Sequence, residues 1–302
     1  MPLARIPTIT ASRWRRAAAI ALATTMGLTA CGNDDGGGSA GEAIVEPVEV
    51  TMTDHAYDIS GTLRRGGTLL VRNDGNETHM MVMARLHDGV TLDELLETFR
   101  SDDESAADAL VDPIGAPGNV LTPGHQLQIT APDLGAGTYA MVCFLGTEGD
   151  GTPHVFNGMA ATLTVEGDEV APPDPDAEYA ASPHQAIKGP TQLDAGHRVL
   201  RITASGEAKD LEVSLWRVDN DQTLAEVRNR VNELATADVP DVGSGREAAE
   251  HLIGVVNPFG DSGRLLLGVD LDPGTYILAA INTEDDGEPQ GGTAEQIRIV
   301  VT

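Results

Sequence analysis

The chain has 302 residues, of which 47 are acidic and 19 are lysine or arginine, so its formal net charge is −28. Such a surface repels nucleic acid and anionic lipid headgroups. The composition therefore excludes a nucleic-acid binder, and any association with a membrane has to come from something other than surface charge.

The first thirty residues predict an export signal rather than part of a fold. A short arginine-containing stretch precedes the apolar run AAAIALATTMGLTA, which is too short to span a bilayer as a stable helix. The run ends in LTAC, residues 28–31, which resembles the lipobox of bacterial lipoproteins. By that resemblance residues 1–30 are a lipoprotein signal peptide, Cys31 is the lipidated first residue, and the protein is anchored to the outer face of the cell membrane.

The acidic, glycine-rich segment 31–45 predicts a flexible tether between the lipid and a folded body. The chain has two cysteines, Cys31 and Cys143. If Cys31 carries lipid, Cys143 is a lone thiol in an exported protein, and no internal disulfide can form. A free cysteine is usually a small buried hydrophobe, so its neighbours have to decide between that role and a metal ligand.

The strand, turn and helix patterns that follow the tether predict a first domain at residues 46–167. VEVTMTDHAYDI alternates as one strand, LRRGG is a turn, and TLLVRN and HMMVMARL are two further strands. TLDELLETF predicts a short helix with a capping box of Thr91 and Glu94, resuming in ESAADAL. IGAPGNVLTPG predicts a loop, LQITAPDLGAGTYAMVC gives strand, turn and strand, and AATLTVEG is the closing strand.

Residues 168–184 are rich in proline, acid and alanine and predict a linker. The following residues, 185–302, repeat the first domain: GTY recurs, and LWRVDNDQTLAEV tracks MARLHDGVTLDEL, with Thr223 and Glu226 repeating the capping box. The chain is therefore predicted to be all-β, with two tandem Greek-key β-sandwich domains, each with a short helical insert.

The most informative segment is GTYAMVCFLGTEGDGTPHVFNGMAATLTV, which joins two predicted strands. It gathers a thiol, an imidazole and a thioether on one loop, the ligand types that a His, Cys, Met copper site requires. Its candidate ligands are Cys143, His154 and Met159, and the best fourth candidate is His79. Every second side chain of a strand points to the same face. His79 and Cys143 can therefore point inward, each at the end of a row of inward-facing side chains on its own strand.

The repeat provides an internal control for these four residues. When the sequence of the second domain is aligned with that of the first, other residue types stand at all four positions: Leu211 at His79, Ala280 at Cys143, Gly291 at His154 and Gln296 at Met159. The four candidates are lost together while the strand pattern is kept. This joint loss predicts that they form one unit of chemistry, present in the first domain only.

Three motifs resemble those of blue copper proteins such as plastocyanin and pseudoazurin. VRNDGNETHMMVM is similar to their V-x-N-x-G-x-x-x-H strand, GTYAMVC to their G-x-Y-x-x-x-C strand, and HVFNGMAATLTV to their H-x-x-x-G-M-x-x-x-x-x-V ending. The resemblance implies a cupredoxin-like first domain that holds one copper ion per chain. It makes His79, Cys143 and His154 equatorial ligands and Met159 a weak axial one, and such sites transfer single electrons.

Ten residues separate Cys143 from His154, whereas plastocyanin-like loops have only a few, and the added residues include the hard oxygen donors Glu148 and Asp150. The chain also resembles a broad group of exported cupredoxin-like proteins with such a long loop and a P-H-x-x-x-G-M ending.

These features predict an anchored copper-binding electron carrier with a redox partner protein, not an enzyme, because no catalytic triad spacing, phosphate-binding glycine motif or carboxylate pair is evident. One alternative is a metal-free tandem module whose loops bind a protein or a surface ligand. Another is copper handling without redox transfer.

Overall fold

A computed structural model describes residues 46–101, 104–130, 134–147, 151–182, 185–204, 211–218, 252–256, 264–282 and 295–302. The predicted signal segment, Cys31 and the tether lie outside these residues, as do Glu148, Asp150, Thr223, Glu226 and Gly291. In the described ranges, no helix combines the length and the hydropathy needed to cross a membrane.

Strands form most of the described part of the chain. The first nine are β1 (Val48–Thr53), β2 (Ala56–Ser60), β3 (Leu63–Arg65), β4 (Thr68–Asn73), β5 (His79–Leu86), β6 (Val111–Leu121), β7 (Gln126–Thr130), β8 (Gly137–Val142) and β9 (Ala160–Glu169). The next nine are β10 (Ala177–Ser182), β11 (Gln185–Lys188), β12 (Gln192–Leu193), β13 (Gly196–Ala204), β14 (Leu211–Val218), β15 (Leu252–Val256), β16 (Arg264–Leu271), β17 (Gly274–Asn282) and β18 (Glu295–Val301). We call β1–β9 the first unit and β10–β18 the second unit.

The two units share one strand order. One sheet runs β11-β10-β13-β16-β7-β4-β1-β2 and the other β12-β18-β17-β14-β15-β6-β5-β8-β9-β3. Adding nine to each strand of the first unit gives the order of the second, and equivalent strands meet where the units join, β7 with β16 and β6 with β15. The parallel pairs β1/β4 and β3/β9 recur as β10/β13 and β12/β18. The predicted all-β fold with two tandem cupredoxin-like sandwiches is thus confirmed.

The prediction of a single strand for VEVTMTDHAYDI is wrong. The segment is a hairpin of β1 and β2, which pair antiparallel as far as Thr53 and Ala56 around a two-residue turn. The alternation of residue types continues through the turn, so the sequence pattern hides it. LRRGG likewise holds more than a turn, because Leu63–Arg65 forms the short strand β3 beside β9.

IGAPGNVLTPG is not a loop, since most of it belongs to β6. The pairing of β6 with β5 shifts register at several points, and Gly115 and Gly118 lie opposite Met83 and Met81. Glycine and proline in a strand often mark such irregular pairing. The composition of this segment resembles that of a loop, but its backbone pairs with the neighbouring strands β5 and β15 and so belongs to the sheet.

The segment predicted as a linker, 168–184, contains the end of β9 and all of β10. β9 extends to Glu169 and β10 begins at Ala177, so only residues 170–176 connect them. β10 pairs in parallel with β13, and its alternate residues Ala177, Tyr179 and Ala181 are buried. The predicted domain boundaries themselves stay a prediction.

The first unit carries two short helices, α1 (Leu92–Arg100) and α2 (Glu104–Asp108), as predicted. The capping box is present: the Thr91 hydroxyl accepts from the Glu94 amide, and the Glu94 carboxylate accepts from the Thr91 amide. The buried face of α1 includes Phe99, whose ring meets Phe144 edge-on at 5.3 Å. The helix therefore contacts the residue that follows Cys143 in the sequence.

Candidate metal centre

Three of the predicted ligands meet at one end of the first unit. His79 is the first residue of β5, Cys143 follows the last residue of β8, and His154 opens a 3-10 turn. The Nδ1 atom of His154 lies 3.1 Å from Nδ1 of His79 and 3.4 Å from Sγ of Cys143. All three side chains are fully buried, and their ligand atoms lie within 4.8 Å of one another.

Met159, the fourth predicted ligand, is fully buried and tied through its backbone to two of the others. Its amide donates to the carbonyl of His154 at 2.9 Å, and its carbonyl accepts from the amide of Cys143 at 3.3 Å. Gly158, which precedes it, has φ 109° and ends the 3-10 turn, a conformation that favours glycine. The four candidate residues thus share one buried region, and their role as ligands stays a prediction.

The long segment between Cys143 and His154 folds back on itself. Gly146 pairs with Pro153 in an antiparallel bridge, and the amide of His154 donates to the carbonyl of Leu145 at 2.8 Å. The sequence separation therefore does not keep the thiol and the imidazole apart.

The surroundings of Cys143 control its protonation. Burial raises the pKa of its thiol to about 12, although the backbone amides of Met80 and Leu145 act in the opposite direction. The Met80 amide donates to Sγ at 3.4 Å, and the Tyr57 hydroxyl donates to the Met80 carbonyl. The thiol is protonated at neutral pH, so formation of a thiolate requires a nearby cation.

The two imidazoles point their outer nitrogens at two different carboxylates. Nε2 of His154 lies 2.7 Å from Oε2 of Glu77. Nε2 of His79 lies 3.8 Å from Oδ1 of Asp54 and is buried without a hydrogen-bond partner. Burial, with a smaller effect of His154, lowers the pKa of His79 to about 4. Hydrogen bonds, first that from the Asn76 side chain, lower the pKa of Asp54.

Asn73 organises the segment that precedes His79. Its buried side-chain amide donates to the carbonyls of Glu77 at 2.8 Å and Leu121 at 2.7 Å, and its carbonyl oxygen accepts from the amide of Gly75 at 2.9 Å. The sequence alone predicts no role for Asn73, Glu77 or Asp54. Asn73 stands in the V-x-N-x-G motif, which is a usable signal, whereas the two acids have no comparable one.

The sheet register fixes the equivalent positions in the second unit. β5 and β14 have the same length and the same alignment against β8 and β17, so Leu211 takes the place of His79 and Ala280 that of Cys143. Both predicted equivalences are confirmed.

The predicted equivalence of Met159 with Gln296 is wrong by one residue. Gln296 pairs with β17 as Ala160 pairs with β8, so Glu295 takes the place of Met159. The shift arises because the loop before β18 differs in length from the loop before β9. In the second unit, neither thiol nor thioether occupies the positions of Cys143 and Met159.

No protein-family model matches the sequence, and no curated protein matches it. Among solved structures, the chain is similar to a reduced auracyanin from the photosynthetic bacterium Roseiflexus castenholzii, with 24% identity over 39% of this chain and 94% of that chain at a TM-score of 0.24. Auracyanin A, a "blue" copper protein from Chloroflexus aurantiacus, is 19% identical over 40% of this chain and 100% of its own, also at 0.24. A multicopper oxidase is 12% identical over 84% of this chain and 88% of its own, at 0.23. The fold of the present chain, as its own sheet order shows, is cupredoxin-like.

Proposed function

We propose that the protein binds one copper ion in its first unit and carries electrons. The observation that supports this most is the meeting of two imidazole nitrogens and one thiol sulfur, all fully buried, at one end of the sandwich. Two histidines, one cysteine and a weak methionine are the ligands typical of blue copper electron-transfer sites.

The residues present fit a copper ion. The carboxylate beside Nε2 of His154 requires a proton on that nitrogen, so Nδ1 presents its lone pair to the cluster. A bound cation would stabilise this close approach of nitrogen and sulfur atoms. The buried Met159, tied to both Cys143 and His154, adds a soft donor that favours copper over zinc.

A bound copper ion would exchange one electron at a time between its two oxidation states. The chain has three tasks toward that chemistry. The ends of β5 and β8 and the 3-10 turn hold the ligands in fixed positions, burial excludes water, and the Met80 amide stabilises negative charge on the sulfur of Cys143.

The cellular setting is also part of this proposal. The LTAC sequence supports anchoring through a lipid at Cys31 at the outer face of the membrane, with residues 31–45 as a tether. The net charge of −28 favours a redox partner with a basic docking surface. Association with such a partner would slow as the salt concentration rises. We assign the second unit to spacing or to contact with that partner.

The test is a Cu(II) titration of soluble protein comprising residues 32–302, followed by visible absorption. We expect an intense band at about 600 nm at one copper per chain, characteristic of thiolate-to-copper charge transfer. The band should vanish in Cys143→Ser and persist in Met141→Leu, a buried control on the strand that precedes Cys143.

The other outcomes separate the alternatives. Tight binding of Cu(I) without a coloured Cu(II) complex would support copper handling without redox transfer. If neither oxidation state binds, the copper proposal is wrong and the protein is better studied as a metal-free module that binds a protein or a surface ligand.

A further inference from the structure

We propose that Glu77 and Asp54 are positioning residues that fix the two histidine rings with Nδ1 directed at the metal. Each carboxylate accepts, or is placed to accept, the proton on the outer nitrogen of one ring. The inference rests on the proposed copper site, but it makes a separate claim about ring protonation that can be measured without copper.

The pair of His154 and Glu77 is already formed. Nε2 and Oε2 are 2.7 Å apart, with side-chain exposures of 1% for His154 and 21% for Glu77. An ionised carboxylate only accepts hydrogen bonds, so the ring proton lies on Nε2. Nδ1 is then unprotonated, and it is the atom that faces His79 and Cys143.

The pair of His79 and Asp54 is close to forming. Nε2 of His79 is buried and lacks a hydrogen-bond partner, and the Asp54 oxygen lies 3.8 Å away. A small displacement would bring the two atoms to hydrogen-bond distance. Asp54 is therefore the acceptor that the structure offers to a ring proton on this nitrogen.

One short loop controls both pairs. Asp54 accepts from the side chain of Asn76 at 2.8 Å and from the amide of Glu77 at 3.3 Å. A Cβ atom on Gly75 would lie 2.5 Å from Oδ1 of Asp54 and 2.9 Å from Nε2 of His79. Any other residue at this position would clash with both side chains. Glycine at position 75 therefore allows the loop, the Asp54 carboxylate and the His79 ring to lie this close together.

The arrangement has a consequence for the metal. A carboxylate bonded to the outer nitrogen of a ligating histidine fixes its tautomer and raises its basicity. The negative charges of the two carboxylates, beside the outer nitrogens of both rings, stabilise the more highly charged oxidation state of copper. Removal of either charge should shift the reduction potential upward, more for Glu77 than for Asp54 because its carboxylate is the nearer of the two.

The first experiment measures ring protonation by ¹⁵N NMR on the metal-free full chain. We expect the His154 proton on Nε2 in the wild type and in Glu77→Gln, whose amide oxygen can still accept. In Glu77→Leu we expect a mixture of Nε2–H and Nδ1–H forms. A His154 proton on Nδ1 in the wild type, or an unchanged ring in Glu77→Leu, would overturn the inference even if copper binds.

The second experiment compares copper-loaded Glu77→Gln and Asp54→Asn with Asp74→Asn. The control removes the same charge from the loop that carries Glu77, but Asp74 pairs with Arg72 at 2.8 Å rather than with a ring. We expect both test variants to raise the reduction potential above that of the control, and Glu77→Leu to weaken copper binding by about 10-fold to 100-fold. Potentials equal to that of the control would contradict the inference, whereas a wild type that binds no copper would contradict the proposed function and leave the NMR result to decide this one.

Discussion

Gly146 pairs with Pro153, and this pair closes the segment that separates Cys143 from His154. Inside the closure, only two residues separate Cys143 from Gly146 and none separates Pro153 from His154, and the thiol sulfur lies 3.4 Å from the imidazole Nδ1. We call residues 147–152, which stand between the paired residues in the sequence, the extension. Loops on a rigid sandwich commonly tolerate insertions and carry binding surfaces.

This geometry predicts that the extension is not needed for the metal site. We expect replacement of residues 147–152 by Asn-Gly to keep the visible band of copper-loaded protein. The free energy of unfolding should change by only about 1 kcal/mol, since the change removes the hydrogen bond from Asn157 to Thr147. Loss of the band in a folded variant would show that the extension shapes the site.

Asn73 should be among the most sensitive polar positions of the first unit. Replacement by alanine removes one buried hydrogen bond, to the carbonyl of Leu121, and two half-buried ones, to the carbonyl of Glu77 and from the amide of Gly75. Loss of the partner of a buried polar group costs about 1–3 kcal/mol. We expect Asn73→Ala to lower the free energy of unfolding by about 3 kcal/mol or more, measured by denaturant unfolding of metal-free protein. Asn157→Ala, which removes one exposed hydrogen bond, should cost about 1 kcal/mol or less.

A methyl group on Gly75 should disturb the metal site directly. The added atom would meet both the Asp54 carboxylate and the outer nitrogen of His79, and relief of such a clash costs typically 1–3 kcal/mol. We expect Gly75→Ala to weaken copper binding by about 10-fold or more in a competition titration. Gly167→Ala is the matched control, because a Cβ there meets nothing within 4 Å. Equal affinities for the two variants would argue against close packing around His79.

The four residues could be chosen as candidate ligands from the sequence because a thiol, an imidazole and a thioether in one loop are chemically distinctive. The repeat, which has other residue types at the positions aligned with them, supports that choice. The roles of the two acids, Asp54 and Glu77, could not be predicted from the sequence. Asp54 lies in a turn that the unbroken alternation of β1 and β2 conceals, and Glu77 lies in a polar cluster typical of any turn. Their importance comes from tertiary contact with His79 and His154, which the local sequence does not encode.

The strand assignments failed for a related reason. β6 contains the glycines and proline that usually mark loops, and it is a strand because β5 and β15 pair with its backbone. Similarly, β10 was hidden in a segment rich in alanine and acid, where strand propensity is low, and its pairing with β13 decides its conformation. In both cases long-range pairing overrides local composition.

The protonation of His79 predicts how the stability of metal-free protein depends on pH. The folded protein holds the pKa of this ring at about 4, against 6.5 for an ordinary histidine. Between these two pH values the unfolded chain binds a proton that the folded chain does not. The contribution of His79 to the free energy of unfolding is therefore fully present above pH 6.5 and is lost as the pH falls from 6.5 to 4.

His79→Leu removes that proton site, and Leu211 shows that the equivalent strand position accepts leucine. We expect the free energy of unfolding of His79→Leu, relative to wild type, to rise by roughly 2–3 kcal/mol as the pH falls from 6.5 to 4, and to stay level above that range. Denaturant unfolding in the presence of a chelator measures it. Met83→Leu, a buried change without a titrating group, should differ from wild type by the same amount at every pH. A His79→Leu difference that is equally independent of pH would mean that the ring titrates alike in the folded and unfolded chain.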